Sequence, residues 1–307
     1  MSSEVSPIGR VIVDAHHHVW DPTRNYHPWL CDEPPIPFRY GDYSSIRGPY
    51  LPAGYRADAS PWTIAASVYV ETEWDPSDPS GEMDYVAELI AKDGLPTVAV
   101  AQAWLDRADA AAVLDQHAAR PFVRSVRHKP RANPRPADQT PGGMTDAKWR
   151  DGFAKLAPLG LRFDLQTPWW HLAEAARLAA DFPNTQIILN HTGLPSDRSR
   201  EGLTGWRDAM EQLADAPNVA VKISGIGQLA LPWTVAANRG IVLTTIELFG
   251  VERCMFASNF PVDRIRADFT TIFGGFQEIV AGFTTAEQSA LFADNARRIY
   301  AIEGAHA

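Results

Sequence analysis

The sequence predicts an α/β chain folded as one (β/α)8 TIM barrel, and two observations carry that expectation. Short β-branched runs alternate with Ala-, Leu- and Glu-rich segments of helical spacing along nearly the whole chain, the pattern of parallel strands joined by right-handed crossovers. The length of 307 residues suits a single barrel domain, with its core over about 10–303. An open doubly wound sheet is the alternative. However, no GxGxxG turn follows the first strand, and neither a Walker sequence nor a GxSxG elbow occurs.

The first strand is the segment VIVDAHHHVW at 11–20. Its β-branched start drives a buried strand. Side-chain alternation is then expected to deliver Asp14, His16 and His18 to one face and His17 to the other. Two imidazoles converging at a strand end suit a neutral metal site or general base chemistry near pH 7. A tag remnant does not follow a Val-Ile-Val strand or run on into an aromatic-rich segment.

Residues 21–61 are rich in Pro, Tyr, Trp and Arg and show little helical period. A connection of that length inside a compact domain usually carries function. It is expected to cap a pocket, with Trp29, Tyr40, Tyr50 and Tyr55 as wall candidates. Beyond it, strands are expected at 65–70, 97–101, 122–126, 161–165, 186–189, 219–223 and 253–257, with helices at 81–92, 108–119, 146–157 and 171–181. The strand ends carry Glu71, Gln102, Arg127 and His128, Asp164, His191, Lys222 and Ser224, and Ser258 and Asn259. In a barrel these ends form the catalytic face.

Composition narrows the function. Hydrophobic residues at 45% and charged residues at 21% are ordinary globular values and exclude a disordered chain. A net charge of −9 argues against a nucleic-acid surface, which needs clustered cations. The one strong basic cluster, Arg124, Arg127, His128, Lys129 and Arg131, reads either as a solvated loop or as a site for a small anion. Cys31 and Cys254 match no metal or redox spacing. With no apolar leader core in MSSEVSPIGR and no membrane-length apolar run, the expectation is a soluble cytoplasmic protein. Its expected partners are a small-molecule substrate and, as an open alternative, copies of itself.

Five motifs stand in register: DAHHHVW on the first strand, VRSVRH on the fourth, ILNHTGLP on the sixth, VKISG on the seventh and MFASNFPVD on the eighth. In these the chain resembles the amidohydrolase superfamily, in its branch of TIM-barrel lactonases acting on sugar lactones and carboxylated lactones or pyrones. The resemblance implies that His16 and His18, with His191, lie where members hold a divalent metal, zinc first among candidates. In metal-free members the same positions polarise a substrate carbonyl. It also implies that Arg127, His128 and Arg131, with Glu71, gather substrate carboxylate or hydroxyl groups, for which a guanidinium fork is suited.

One position departs from the family. The eighth strand there ends in Ser-Asp, an aromatic residue and Pro, with the Asp as water-activating base, whereas here it reads Ser258, Asn259, Phe260, Pro261. An amide cannot take a proton near neutral pH, though it can orient water or stabilise an oxyanion. Three readings stay open: lactone hydrolysis with His191, Glu71 or Asp263 as base; non-oxidative decarboxylation of an aromatic or unsaturated acid; and a barrel that only binds ligand. Losing the carboxylate also removes anionic charge that would hold zinc.

Overall fold

The computed structural model describes residues 11–138 and 140–303; the opening segment MSSEVSPIGR, read above for a leader core, lies outside them. Eight parallel strands follow one another around the sheet in chain order. They are β1 (Val11–His17), β2 (Thr63–Val70), β3 (Val98–Gln102), β4 (Val123–Arg127), β5 (Arg162–Leu165), β6 (Ile187–Leu189), β7 (Val219–Ile223) and β8 (Cys254–Phe256). Beyond β8 the chain closes onto β1: the Asn259 amide donates to His16 O at 2.8 Å and the His18 amide to Phe260 O at 2.7 Å. The eight strands forecast from the alternation are therefore present as a (β/α)8 barrel, and the closing seam runs through the histidine segment.

The helices α1 (Pro28–Cys31), α2 (Pro52–Ala59), α3 (Gly81–Asp93), α4 (Ala110–Ala118), α5 (Ala147–Phe153), α6 (Leu172–Asp181), α7 (Arg200–Ala214), α8 (Val235–Phe249), α9 (Phe269–Ile279), α10 (Thr285–Ser289) and α11 (Asn295–Ile299) complete the chain. Ring-to-ring packing such as Trp149 of α5 with Phe163 of β5, or Phe276 of α9 with Phe256 of β8, joins helices to the strands' outer face. Inside the barrel, Val13, Val68, Val100, Ile188, Ala220 and Met255 fill the lower layers. Above them lies a buried polar layer. Lys222 Nζ is 2.6 Å from Asp164, whose carboxylate also accepts from Tyr300 Oη and from Asn190 Nδ2, each at 2.9 Å. The Asp164 carboxylate thus meets a countercharge and two donors, which makes its burial tolerable.

Two expectations are corrected here. The capping segment after β1 holds α1 and α2, where an irregular loop was expected. The sequence PAGYRADA has a weak apolar stripe, and its helix starts on a proline, whose missing amide costs nothing at that position. Second, Asp14 does not share a face with His16 and His18. The pairing of β1 with β2 slips between Asp14 and His17, so three steps along β1 match two along β2. Such a bulge resets the alternation. Asp14 and His17 consequently both turn to the helix layer and meet Tyr55 of α2: Tyr55 Oη donates to Asp14 at 2.8 Å, and the His17 ring stacks on the Tyr55 ring at 4.4 Å. Asp14 also accepts from the Ser258 amide and hydroxyl at 2.8 and 2.6 Å. It pins the seam shut from outside.

Candidate active site

The strand ends surround a cavity of ≈ 310 Å³, at the low end for a small-ligand site. Its floor is polar: His18, Glu71, Arg127, Gln166, His191 and Asn259. Its walls are Trp20, Trp29, Ile36, Phe38, Leu194 and Val262, with Arg39, Glu73 and Lys129 at the side. The cap supplies Trp29, Ile36, Phe38 and Arg39. Of the four expected wall aromatics only Trp29 lines the cavity. Tyr40, Tyr50 and Tyr55 instead donate their hydroxyls to Asp263, Asp58 and Asp14.

Three imidazoles gather at the floor. His16 and His18 approach Nε2 to Nε2 at 3.2 Å, and the His16 and His191 rings lie 4.7 Å apart. His18 Nδ1 is 2.7 Å from Val70 O; a carbonyl only accepts, so Nδ1 carries the hydrogen and Nε2 is the lone pair. His16 must then donate from Nε2, which leaves its Nδ1 buried without a partner. His191 Nδ1 is 2.9 Å from Ser224 Oγ. All three imidazoles are held well below their ordinary pKa, first by burial and then by neighbouring positive charge. That charge is Lys222 for His16, Arg127 for His18 and Arg39 for His191. They are neutral at pH 7.

Backbone geometry is costly at these strand ends. His191, Thr192 and Asn259 have φ of 56°, 51° and 55°, left-handed values that non-glycine residues rarely adopt and that accumulate at functional sites. Gly225 stands opposite at φ +60°, and a Cβ there would fall 2.5 Å from His191 Nδ1. Only glycine allows the seventh-strand turn to approach that ring.

The expected site residues divide. His18, Glu71, Arg127, His191 and Asn259 face the cavity. His16 does not line the cavity and meets it through its Nε2 contact with His18. His128 is directed outward by strand alternation: its Nδ1 accepts from the Leu105 amide at 3.1 Å and its ring lies beside Trp149 of α5. Arg131 is exposed in the loop beyond, and neither residue contributes to the cavity. Asp263 is buried and committed. It accepts from Tyr40 Oη at 2.9 Å, Asn259 Nδ2 at 2.7 Å and the Gly225 amide at 3.1 Å, so it has no free edge toward the cavity.

Arg127 is held rigidly, with Nε on the Glu71 carboxylate, Nη2 on Glu71 O at 2.7 Å and Nη1 on Gln166 at 3.0 Å. Arg39 and Gln166 were not foreseen. Arg39 sits in the cap with no neighbouring motif, and only the contact of Arg39 Nη1 with Gly225 O at 3.2 Å reveals its role at the mouth.

The family model for amidohydrolases matches residues 13–302. The chain belongs to the amidohydrolase family. It is 40% identical to the protein y4mH of Sinorhizobium fredii over 95% of this chain and 98% of that one. It is 24% identical to an L-fucono-1,5-lactonase of Burkholderia multivorans over 96% and 97% of the two chains. A crystal structure of an amidohydrolase from Burkholderia multivorans with bound zinc shares the fold at a TM-score of 0.76, with 22% identity, over 95% of this chain and 100% of that one.

The donors at the floor meet the demands of such an ion only in part. Two nitrogens on a tetrahedral zinc stand about 3.3 Å apart, close to the 3.2 Å of His16 and His18. The rest of the set disagrees. Although His18 and His191 each have an outer hydrogen bond of the kind that steadies a ligating imidazole, to Val70 O and Ser224 Oγ, His16 Nδ1 has none. Asn259 supplies no charge, and the nearby charges acting on the imidazoles are cations. Among the described residues no group of three His, Cys, Asp or Glu side chains is arranged to hold a metal ion. This family site, with these side chains, does not fit a firmly held divalent ion.

Proposed function

We propose that this amidohydrolase opens a small anionic lactone by water attack on the ring carbonyl, using its own side chains. The observation that carries the reading is the pairing of neutral imidazoles with a cationic rim in one cavity: His18 and His191 beside Arg39, Arg127 and Lys129. Neutral imidazoles accept protons, fixed guanidinium groups stabilise a developing oxyanion, and flexible cations bind a carboxylate. The relative named as an L-fucono-1,5-lactonase supports the lactone-opening part of this reading.

In the proposed reaction Arg39 and Lys129 pair with the acidic group, and the apolar cap excludes water from the ring. Arg127, locked by Glu71 and Gln166, polarises the carbonyl. The Asn259 amide nitrogen is committed to Asp263, so the Asn259 oxygen orients the attacking water. With Nδ1 donating to Ser224, His191 Nε2 takes the water proton as the new C–O bond forms. On collapse the ring C–O bond breaks and the ring oxygen recovers that proton, giving a hydroxy acid. His16 acts through His18, a more modest role than direct carbonyl polarisation.

A hydrolysis panel of carboxylated, polyhydroxylated and neutral lactones, run with and without a chelator, tests the reading. Ring opening of anionic lactones that survives chelation is expected. No turnover of any lactone, with CO2 released from an aromatic acid, would transfer the site to decarboxylation.

A further inference from the structure

We propose that Asp263 is a positioning residue that latches the cap onto the site floor, holding Tyr40 of the cap and Asn259 of the floor on one carboxylate. The role given to Asn259 rests on the hydrolytic reading above; the latch itself does not.

The geometry converges from three chain segments. Asp263 Oδ1 accepts from Tyr40 Oη at 2.9 Å and from Asn259 Nδ2 at 2.7 Å, while Oδ2 accepts from the Gly225 amide beyond β7 at 3.1 Å. Arg39 Nη2 stands 3.8 Å from the same carboxylate. The Tyr40 ring is clasped between two guanidinium groups, Arg39 at 4.6 Å and Arg266 at 5.8 Å, and Arg266 also donates to Tyr40 O at 3.2 Å. Cap residue 40 is thereby fixed to the chain after β8, and Arg39 is carried to the cavity with it.

Two consequences follow. The Asn259 side chain has its amide direction set by Asp263, since a carboxylate can only accept and must therefore meet the nitrogen. If the cap lifts, Tyr40 and Arg39 leave together, and Asp263 loses one of its three donors and its neighbouring cation. Cap closure and the hold on the Asn259 amide are thus coupled through one carboxylate. Asp263 performs this without touching substrate.

The test uses the full chain and four proteins: wild type, Tyr40→Phe, Asp263→Ala and Asp263→Asn. Backbone hydrogen exchange at 38–46 should quicken at least about tenfold in Tyr40→Phe and Asp263→Ala, the scale of one buried hydrogen bond. Exchange in β4 to β6 should not change. Asp263→Asn keeps an acceptor for Tyr40, so it should stay within about threefold of wild type. With a lactone turned over by the wild type, Tyr40→Phe should raise KM more than it lowers kcat, and the acid limb of the pH profile should persist in Asp263→Asn.

Unchanged exchange of the cap in both Tyr40→Phe and Asp263→Ala overturns the latch, as does loss of protection spread evenly through the barrel. Loss of the acid limb in Asp263→Asn, with the cap still protected, would make Asp263 the base instead. A chain that hydrolyses no lactone but shows the exchange pattern keeps the latch and removes only the hydrolytic reading.

Discussion

Arg127 and Glu71 form a buried pair on the cavity floor in which the guanidinium touches both the carboxylate and the main-chain carbonyl of the same residue. That double contact fixes the plane of the fork, and Gln166 holds its third edge at 3.0 Å. Lysine can keep the charge but not the plane. Arg127→Lys should therefore lower kcat at least about a hundredfold, as losing a fixed oxyanion donor does. Arg127→Ala should also destabilise the fold by about 3–5 kcal/mol, because Glu71 is left buried and unpaired. Steady-state kinetics and denaturant melts of the two variants separate these effects.

The three imidazoles should rank by their access to the cavity. His191→Ala removes the proposed base and should cost about 10²–10⁴ in kcat. His18→Ala should fall in the same range. His16→Ala, acting through one hydrogen bond to His18, should cost only about tenfold. Equal losses for His16 and His191 would show that His16 meets substrate directly.

Asn259→Asp restores a carboxylate to the imidazole group but sets it against Asp263, whose Oδ1 lies 2.7 Å from the amide nitrogen in the wild type. Two carboxylates at that spacing repel unless they share a proton or a cation. The metal-free variant should be less stable than wild type by about 1–3 kcal/mol, the cost of a broken buried hydrogen bond. Zinc should recover that loss, with metal content approaching one equivalent by elemental analysis. Wild type purified and loaded in the same way should stay well below one equivalent.

Acid should weaken the fold through its buried histidines, two of which, His27 and His117, lie outside the cavity lining. Burial pushes both His27 and His117 down to about 4, while in the unfolded chain each titrates near 6.5. Between these values the unfolded state takes up protons that the folded state refuses. Stability is thus lost as pH falls from about 6.5 toward 4, with a limiting slope of about 1.4 kcal/mol per pH unit for each histidine. His117→Gln retains an N–H to meet Gln102 O, which His117 Nε2 approaches at 2.9 Å. It should flatten the dependence of urea midpoint on pH between 7 and 5. A slope equal to that of wild type would show that His117 is not a source of the effect.

Strand order was legible because each strand is buried on both faces and so reads as a continuous β-branched run, as in VAVKI of β7. The positions of His18, His191, Glu71 and Arg127 were legible for the same reason, since strand ends point at one mouth. Simple alternation failed at Asp14, where one extra residue in β1 reverses the phase. Arg131 was expected at the site from the family resemblance and lies past the strand, where no period governs direction. The place of Arg39 at the mouth and the latch proposed for Asp263 depend on contacts that span 186 and 223 positions of the chain, Arg39 with Gly225 and Tyr40 with Asp263. No local pattern encodes such a pair.

The buried Lys222–Asp164 pair lies just below the histidines, and its field helps keep His16 and His191 neutral. Removing one partner should be worse than removing both. Lys222→Met leaves the Asp164 carboxylate with Tyr300 and Asn190 as donors but with no countercharge, which should cost about 3–5 kcal/mol. Adding Asp164→Asn removes the buried charge while its amide oxygen still accepts from Tyr300, so the double variant should recover part of that loss. The same double variant should shift the acid limb of any His191-dependent activity upward in pH, because a positive neighbour no longer opposes protonation. Denaturation of wild type, single and double variants decides the first point: a double variant no more stable than Lys222→Met would mean that packing of the lysine stem, and not its charge, holds this layer together.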